Sequence, residues 1–540
     1  MIETIPAVSY SVDAPSRRAA IPQFAVAAAF IILAARVTAL AGLEGNLILD
    51  DAFISFRYAK HFASGSGLVF NAGERIEGYT NPLWTVLLAG CARAGLDIVS
   101  SSVVLSLLAV AATVVVIGRI GMSVFAEHPH GSLLAGVAPV LFALLGCQSR
   151  YVLAGMETPL FVLLLTLGVY ASISARPLAT GLLFGLATVT RPEGILYFMV
   201  VLAFSSAGGA PGRERLRAAA RQLAAFAVVM APFMWWRASY YGSLLPNTYY
   251  AKTSGAVTWA TAERGWKHLV YAIRQSSLEL PLFFALLALT RWRRDRFCLL
   301  SGAFVIAAAI DMVAVGGDFQ FFFGPRFLMP AIPVLCIAAT MGIGVVGDMV
   351  RAPRIGGLTR SLLIAALAVN AFWFSWPGRD RTLGFISHIN RGWTELGLWL
   401  KANTEPDAVI AVGAVGRIPY YSDRYTIDML GLTDAHIAHV DVPLGAGMPG
   451  HEKYDTAYVL DRKPDYIIFV LLTSRGEPAV QDWSQVAGDF QAQYEMIAAV
   501  KASAYPGPWV LETSAWSPDL ARRGYLAAVY RRTAGASRPH

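Results

Sequence analysis

Two adjacent carboxylates, Asp50 and Asp51, stand just past the end of the first long apolar segment of the chain. A carboxylate at the boundary between membrane and water is costly, so a pair of them there predicts a functional site. In a partly desolvated cavity a carboxylate has a raised pKa and can act as a general base. The structural alternative is helix capping, which Asp also favours. One aspartate can cap while the other reacts, and Asp50 is slightly preferred as the base.

Composition indicates a membrane protein with a soluble tail. The 540 residues are 56% hydrophobic and only 15% charged, whereas soluble domains carry about 25% charged residues. Apolar runs dominate residues 1–377, and residues 378–540 have ordinary soluble composition, which predicts a domain boundary there. The net charge of +8 comes from short basic clusters between apolar runs, as in cytoplasmic loops, and does not indicate nucleic-acid binding.

The apolar runs predict about eleven transmembrane helices. Because basic clusters fall on alternate loops, we expect a cytoplasmic N-terminus and an extracytoplasmic tail. The apolar stretch 83–95 would invert this topology if it spanned, so we expect a juxtamembrane helix in the outer interface, or else a re-entrant segment. The predicted spans are 20–43, 101–118, 132–150, 158–174, 178–191, 194–207, 221–238, 269–290, 297–314, 327–347 and 360–377.

This topology brings the polar motifs of the loops to the outer face of the membrane. Cations there suit a phosphate group, which Arg holds bidentately and Lys contacts as a point charge. Ion pairing of Arg191 with Glu193, and of Arg326 with Asp318, is the structural alternative for those two arginines. Candidate substrate-binding residues are Arg57, Glu157, Arg191, Glu193, Asn247, Tyr249, Tyr250, Lys252, Asp318, Arg326, Arg417, His451 and Lys453.

Other members of this set have equally open alternatives. Glu157 orients the first outer loop or merely lies beside a helix cap. Tyr249 and Tyr250 stack on sugar rings or belong to the aromatic belt of the membrane interface. In the tail, Arg417 and Lys453, like His451, bind donor phosphate or acceptor glycan or fill ordinary core and surface positions. Strand-like and helical runs alternate in the tail, which predicts a small α/β domain that caps the outer cavity and binds acceptor.

Several motifs together carry a family resemblance. The Asp-Asp pair, the large first outer loop and the soluble tail resemble the GT-C superfamily of polyprenyl-phosphate-sugar-dependent glycosyltransferases. The wording of the motifs is similar, more narrowly, to bacterial proteins related to the mycobacterial terminal β-(1→2)-arabinofuranosyltransferase. The motifs occupy residues 50–59, 67–71, 77–81, 155–158, 191–194, 246–252, 413–422 and 450–455.

The resemblance implies a multi-pass enzyme of the bacterial cytoplasmic (inner) membrane with its active site outside. It would transfer a sugar, arabinofuranose in the narrower family, from a polyprenyl-phosphate carrier to a cell-envelope glycan, with inversion and with an aspartate of the first loop as base. Some superfamily members use a divalent cation, for which Asp50, Asp51 and Asp318 are the candidate ligands; nothing in their spacing requires one. The alternative function is a transporter of lipid-linked glycans, which would show midplane charges and related halves.

Overall fold

The computed structural model describes most of the chain in two compact units. The helical unit comprises Met1–Leu43, Ser102–Trp236 and Ala262–Asp380, and the sheet unit comprises Glu44–Ser101, Arg237–Thr261 and Arg381–His540. The residues described are 20–44, 47–206, 212–253, 257–291, 296–318, 323–350, 352–374, 381–445, 448–470, 481–502, 509–512 and 525–533.

Helices make up all of the helical unit's regular structure among the described residues and recur in the sheet unit. The helices are α1 (Ala20–Glu44), α2 (Asp50–Ala63), α3 (Pro82–Arg93), α4 (Ile98–Val124), α5 (Gly131–Leu144), α6 (Cys147–Leu153), α7 (Thr158–Ile173), α8 (Pro177–Thr190), α9 (Gly194–Ser206), α10 (Gly212–Tyr241), α11 (Asn247–Lys252), α12 (Trp259–Gln275), α13 (Glu279–Ala288), α14 (Phe297–Ala314), α15 (Ile332–Met349), α16 (Pro353–Phe374), α17 (Arg381–Asn403), α18 (Arg417–Ser422), α19 (Ala435–Ala438), α20 (Thr456–Asp461) and α21 (Ala487–Gln493).

Many of these helices have the length and composition of membrane spans. Among the described residues six are long and apolar enough to cross, and α5 with α6 forms a seventh candidate bent by 53°. Four shorter apolar helices, α7, α8, α9 and α13, complete the set. Each of the eleven predicted spans overlaps one of these segments, so the chain is a multi-pass helical membrane protein. The number of crossings stays a prediction.

One predicted span is wrong in its extent. The apolar run 269–290 is divided in the structure, because α12 ends at Gln275 and α13 begins at Glu279. Ser277 between them has a φ of 56°, a left-handed conformation that interrupts the helix. Buried residues of α12 recur every three or four positions, and its exposed side chains include Trp259 and Trp266. Hydropathy averaged across the break and therefore merged an amphipathic helix with an apolar one.

The tail contains the α/β structure that the sequence predicts. Its six strands lie in the order β2-β1-β3-β6-β4-β5, with β1 parallel to β2 and β3, and β6 antiparallel to β3 and β4. β1 is short and entirely apolar, as expected of a parallel strand covered on both faces. The strands are β1 (Val409–Val412), β2 (Tyr425–Asp428), β3 (Tyr466–Val470), β4 (Tyr494–Ala502), β5 (Trp509–Glu512) and β6 (Tyr525–Arg532).

The loop between α1 and α3, with α2 inside it, shares a hydrophobic core with this sheet. Side chains of the central strands, such as Ile410 and Ile468, cluster with Leu396 of α17 and with the loop residues Tyr58 and Phe70. The apolar stretch after the loop forms the predicted helix α3. Because loop and strands bury their apolar side chains against each other, the loop folds together with the tail rather than as a separate segment.

Gly416 is a point of close approach inside the sheet unit. A Cβ placed on this residue would lie 2.0 Å from the backbone oxygen of Asp50 and 2.6 Å from its Cγ. We therefore expect Gly416→Ala to lower the stability of the folded protein by about 1–3 kcal/mol through overpacking. The measurement is the apparent melting temperature of the purified protein in detergent.

A matched glycine in the same unit provides the control. Gly488 lies in α21 with nothing within 4 Å of its missing Cβ, so Gly488→Ala should leave the melting temperature unchanged or raise it slightly. Equal melting temperatures for Gly416→Ala and wild type would contradict the close contact with Asp50.

Candidate functional site

The two adjacent aspartates begin α2, and the carboxylate of the first binds the tail. Leu49 precedes the helix and makes no side-chain cap, so Asp50 and Asp51 are its first two residues. The Oδ1 atom of Asp50 accepts the backbone N–H of Arg417 at 2.8 Å, and Oδ2 accepts that of Gly416 at 3.1 Å. Asp50 therefore caps the start of α18, which is a different helix from its own.

The environment of Asp50 favours its protonated form. Burial raises the pKa of Asp50 to about 6, and the neighbouring Asp51 acts in the same direction. The N–H groups of Arg417 and Gly416 oppose this shift but do not cancel it. With both oxygens engaged by backbone donors, Asp50 is suited to holding the loop against the tail.

Asp51 lies next to a cationic corner of the same unit. It is half-buried, and among the described residues it has no hydrogen-bond partner. Its charge acts on the imidazole of His451, as does the charge of Lys252. Burial lowers the pKa of His451, and Lys252 lowers it further. This corner therefore brings together a carboxylate, a neutral imidazole and an ammonium group.

Backbone geometry positions both partners of Asp51. Lys252 is the last residue of α11, and a Cβ on Gly450 would be 3.4 Å from its Cε, so the lysine stem lies along this glycine. Gly450 has a φ of 73°, which glycine adopts at no steric cost. The Nδ1 atom of His451 is 3.0 Å from the carbonyl oxygen of Pro449, a contact that orients the ring.

Arg417 lies beside the aspartates and is buried, and its role in binding a substrate stays a prediction. Its Nη1 donates to Thr394 Oγ1 at 3.0 Å, and its Nη2 donates to the carbonyl of Ile48 at 2.5 Å. The guanidinium also lies over the ring of Phe53, 4.3 Å from its centroid. Only 1% of the residue is exposed, so Arg417 supports the start of α2.

The guanidinium of Arg57 also forms its hydrogen bonds with backbone groups of the protein. Its guanidinium donates to the carbonyl oxygens of Phe70 at 2.8 Å, Pro419 at 2.5 Å and Arg424 at 2.7 Å. These bonds join the first loop to the tail and leave the side chain 3% exposed. The donors of Arg57 thus serve backbone acceptors, and its role in phosphate binding stays a prediction.

Asn247 is committed in a similar way within the sheet unit. Its side-chain amide donates to three backbone carbonyls, those of Gly431, Leu432 and Asp434, at 2.9–3.1 Å. It is buried, and it fixes α11 against the loop that follows β2. These bonds hold α11, the helix that ends in Lys252, so Asn247 positions Lys252.

The remaining candidates of the sheet unit differ in exposure. Tyr249 is 41% exposed, whereas Tyr250 stacks on the ring of His439 with a centroid distance of 4.5 Å. Lys453 is buried and donates to the carbonyl of Ala438 at 3.0 Å. Of these residues, Tyr249 presents the most surface to a ligand.

The helical unit brings five of the predicted residues into ion pairs. Arg191 lies between α8 and α9, donates to Glu157 Oε1 at 2.7 Å and also binds Glu193. Arg326 donates to Asp318 Oδ1 at 2.8 Å. Both pairings that the sequence offered as structural alternatives are therefore present. Burial alone would raise the pKa of Glu193, but Arg191 outweighs it and holds that pKa below its usual range.

The sequence analysis did not single out three charged residues that pair with, or lie near, other charged residues of the two units. Asp311 on α14 acts electrostatically on the Arg191–Glu193 pair. In the sheet unit, Glu77 forms a buried pair with Arg237, with Nε and Oε2 2.9 Å apart. A lone Asp inside the apolar run 297–314 was a signal that could have revealed Asp311, since a membrane-depth carboxylate is a functional candidate by default.

The residues present do not fit a metal centre. Both oxygens of Asp50 accept backbone N–H groups, and Asp318 accepts Arg326. Within the described ranges no three His, Cys, Asp or Glu side chains converge as ligands would. No step of a reaction is therefore assigned to a divalent cation.

Sequence comparisons find relatives over about half of this chain. The terminal β-(1→2)-arabinofuranosyltransferase of Corynebacterium glutamicum is 26% identical over 361 residues, 57% of this chain and 49% of that protein. Its Mycobacterium tuberculosis counterpart is 27% identical over 290 residues, 48% of this chain and 45% of that protein. This chain thus spans about half the length of these curated relatives. A family model described as a domain of unknown function (DUF8728) matches residues 386–526 of the tail.

Structural comparisons cover nearly the whole chain. ArnT from Cupriavidus metallidurans in the apo state matches with a TM-score of 0.56 and 14% identity over 94% of this chain and 99% of ArnT. The archaeal oligosaccharyltransferase AglB from Archaeoglobus fulgidus, in complex with an inhibitory peptide and a dolichol-phosphate, matches with a TM-score of 0.56 and 12% identity over 93% and 74%. ArnT bound to undecaprenyl phosphate matches with a TM-score of 0.52 and 14% identity over 96% and 99%.

These likenesses confirm two of the sequence predictions. The resemblance to GT-C glycosyltransferases, and within them to terminal β-(1→2)-arabinofuranosyltransferases, is confirmed by the relatives and the structural neighbours. The fold class is confirmed as well: a polytopic helical membrane protein with a C-terminal sheet domain, whose fold is similar to those of ArnT and AglB.

The environment of Asp50 predicts a specific pH dependence. Its pKa is raised from 3.8 to about 6, so between these values the folded protein holds a proton that the unfolded chain has released. The stabilisation is present at low pH and is lost as pH rises through 6. Relative to Asp50→Asn, wild type should therefore lose about 2 kcal/mol between pH 4 and 7, less than the full shift implies because Asp50 is partly exposed.

Melting temperatures of both proteins from pH 4 to pH 7.5 test this expectation. Asp489→Asn, which removes an exposed carboxylate of α21, is the control for the loss of one charge. A constant difference between wild type and Asp50→Asn across the range would show that burial does not raise the pKa of Asp50.

Proposed function

We propose that this chain is an inverting glycosyltransferase. It moves a sugar from a polyprenyl-phosphate carrier to a cell-envelope glycan at the outer face of the bacterial cytoplasmic membrane. The observation that carries the proposal is the corner formed by Asp51, His451 and Lys252, which combines a base with a cation in one place. Arabinofuranose is the proposed sugar, supported by the names of the two relatives that share about half their length with this chain.

Asp51 is the proposed general base. Its carboxylate takes the proton of the acceptor hydroxyl, whose oxygen then bonds to the anomeric carbon of the sugar. The bond from that carbon to the phosphate oxygen breaks, and its electron pair leaves with the phosphate. Asp51 suits this role better than Asp50, because both carboxylate oxygens of Asp50 already accept hydrogen bonds from backbone N–H groups.

Lys252 is the proposed partner of the departing phosphate. As the bond breaks, negative charge grows on the phosphate oxygens, and a nearby ammonium stabilises that charge in the transition state. His451 has a lowered pKa and so stays neutral in this corner.

A lipid-linked donor is supported by what the structural neighbours hold. The matched AglB carries a dolichol-phosphate and the matched ArnT an undecaprenyl phosphate. For this chain we propose the same class of carrier. The first outer loop and the tail form one folded unit, so we propose that the tail binds the acceptor beside Asp51 and that this unit is extracytoplasmic.

Transport of a lipid-linked glycan is the competing function. A transporter needs no base and no leaving-group cation, and it should tolerate the loss of Asp51. The pairing of a carboxylate with His451 and Lys252 therefore favours group transfer over transport.

The decisive assay measures transfer by the purified protein in lipid vesicles. Radiolabelled polyprenyl-phospho-arabinofuranose is the donor, and envelope glycan is the acceptor. We expect Asp51→Asn to lower the transfer rate by about 10²–10⁴-fold, the usual contribution of a general base. Asp50→Asn should retain more activity and melt at a different temperature, because its role is to hold the loop on the tail.

Asp489→Asn removes an exposed carboxylate of the same unit and should transfer at the wild-type rate. Undiminished transfer by Asp51→Asn would move the base to another residue. If wild type uses no polyprenyl-phosphate sugar from a panel of pentoses and hexoses, yet moves lipid-linked glycan across the bilayer, the transporter is the correct function.

A further inference from the structure

The amphipathic helix α12 has one face that stays exposed in the described part of the chain. From Ala262 onward this helix belongs to the helical unit. Its exposed and half-buried residues form two rows, because positions four apart lie on the same side of a helix. Each row combines an aromatic side chain with a basic one. The rows are Trp266, Val270 and Arg274, and Glu263, Lys267 and Tyr271.

The opposite face of α12 is attached to the C-terminal end of α14. Gly265 allows the two backbones to approach closely, since a Cβ on this residue would lie 2.7 Å from the Cα of Val313. Just beyond α14, the backbone N–H of Asp318 donates to Nδ1 of His268 at 3.1 Å. These contacts fix α12 across the end of α14, within the helical unit.

This attachment places α12 at the boundary of the membrane. The helix α14 is one of those long and apolar enough to cross a bilayer, and its last residue is Ala314. After α12, residues 276–278 lead directly into α13, which is also apolar. Two apolar helices therefore have an end beside α12, at the level where the hydrocarbon core of a bilayer gives way to headgroups.

The aromatic side chains of the exposed face are suited to a layer of phospholipid headgroups. Trp266 is 60% exposed and Tyr271 is 44% exposed, which is costly in bulk water for side chains with so much apolar surface. Among headgroups an aromatic ring buries its apolar body and keeps its N–H or O–H in contact with polar groups. Trp and Tyr are therefore enriched at membrane interfaces.

The charged side chains of the same face exclude the hydrocarbon core. Arg274 is exposed, and Lys267 pairs with Glu263 at 2.8 Å. Three charges at this face would be expensive in hydrocarbon, whereas lipid phosphates and interfacial water solvate them. A protein partner also fits poorly, because the centres of protein interfaces are depleted of Lys and Glu.

We propose that the exposed face of α12 binds the phospholipid headgroup layer. Trp266 and Tyr271 insert between headgroups, and Arg274 contacts lipid phosphate. Because α12 is attached to α14 and leads into α13, lipid bound here fixes the ends of both helices at the bilayer surface. The inference goes beyond the proposed glycosyltransferase function, in which no residue of α12 takes part.

Spin labels on α12 test this placement in the full-length protein. The protein is reconstituted in vesicles of phosphatidylglycerol and phosphatidylethanolamine. Cys91→Ser provides the background, because Cys91 is partly exposed and the other three cysteines are buried. Trp266→Cys and Tyr271→Cys carry the label in separate proteins. For each label, collisions are measured with oxygen, which concentrates in lipid, and with a nickel chelate, which stays in water.

Two control positions define the ends of the scale. Ile306→Cys labels a residue of α14 that is 60% exposed, the same fraction as Trp266, and reports the hydrocarbon core. Asp489→Cys labels an exposed residue of α21 and reports water. We expect the oxygen-to-nickel collision ratio of Trp266→Cys and Tyr271→Cys to lie between those of the two controls.

Each other result overturns the proposal. A ratio as low as that of Asp489→Cys would place the face in water, and one as high as that of Ile306→Cys would place it in hydrocarbon. Few collisions with either reagent would show that protein covers the face. The two label positions give independent readings, so one that folds is sufficient. None of these results bears on sugar transfer, which the assay of the proposed function measures separately.

Discussion

The bond between the Asp50 carboxylate and the backbone of Gly416 and Arg417 is the constraint on which the candidate site depends. It joins the first turn of α2 to the start of α18, two segments more than 360 residues apart in the chain. Successive residues of a helix point about 100° apart. Once Asp50 faces α18, Asp51 must turn to a different side, where its charge meets His451. One aspartate thus sets the direction of the other.

The rest of the sheet unit reinforces this arrangement. Arg57 ties the first loop to a carbonyl within α18 and to another just after it, and Arg417 binds the carbonyl of Ile48 just before α2 begins. Buried arginines that bind several carbonyls fix relative positions more tightly than apolar contacts, since their donors have a rigid geometry. The shared core between loop and strands supplies stability, and these bonds supply register.

Much of the fold could be predicted from the sequence, and less of the site. Apolar runs are a strong signal, so every predicted span overlaps an apolar helix, and the α/β tail follows from its strand pattern. Spacing says nothing about which carbonyls an arginine will reach, so Arg57 resembled a phosphate ligand as much as Lys252 did. Likewise, the sequence does not indicate which of the two adjacent aspartates will accept hydrogen bonds from the backbone of the tail. The predicted span 269–290 missed the break at Ser277, because hydropathy is averaged over a window that includes both helices.

The corner of Asp51, His451 and Lys252 carries charges of both signs, and the proposed reaction creates charge of both signs. During transfer the phosphate gains negative charge, while the sugar ring becomes oxocarbenium-like and gains positive charge. In the proposed reaction the ammonium of Lys252 stabilises the first change, and the carboxylate of Asp51, beside the reacting carbon, stabilises the second. A corner with charges of one sign would favour one of these changes and oppose the other, so the proposed reaction needs the aspartate and the lysine together.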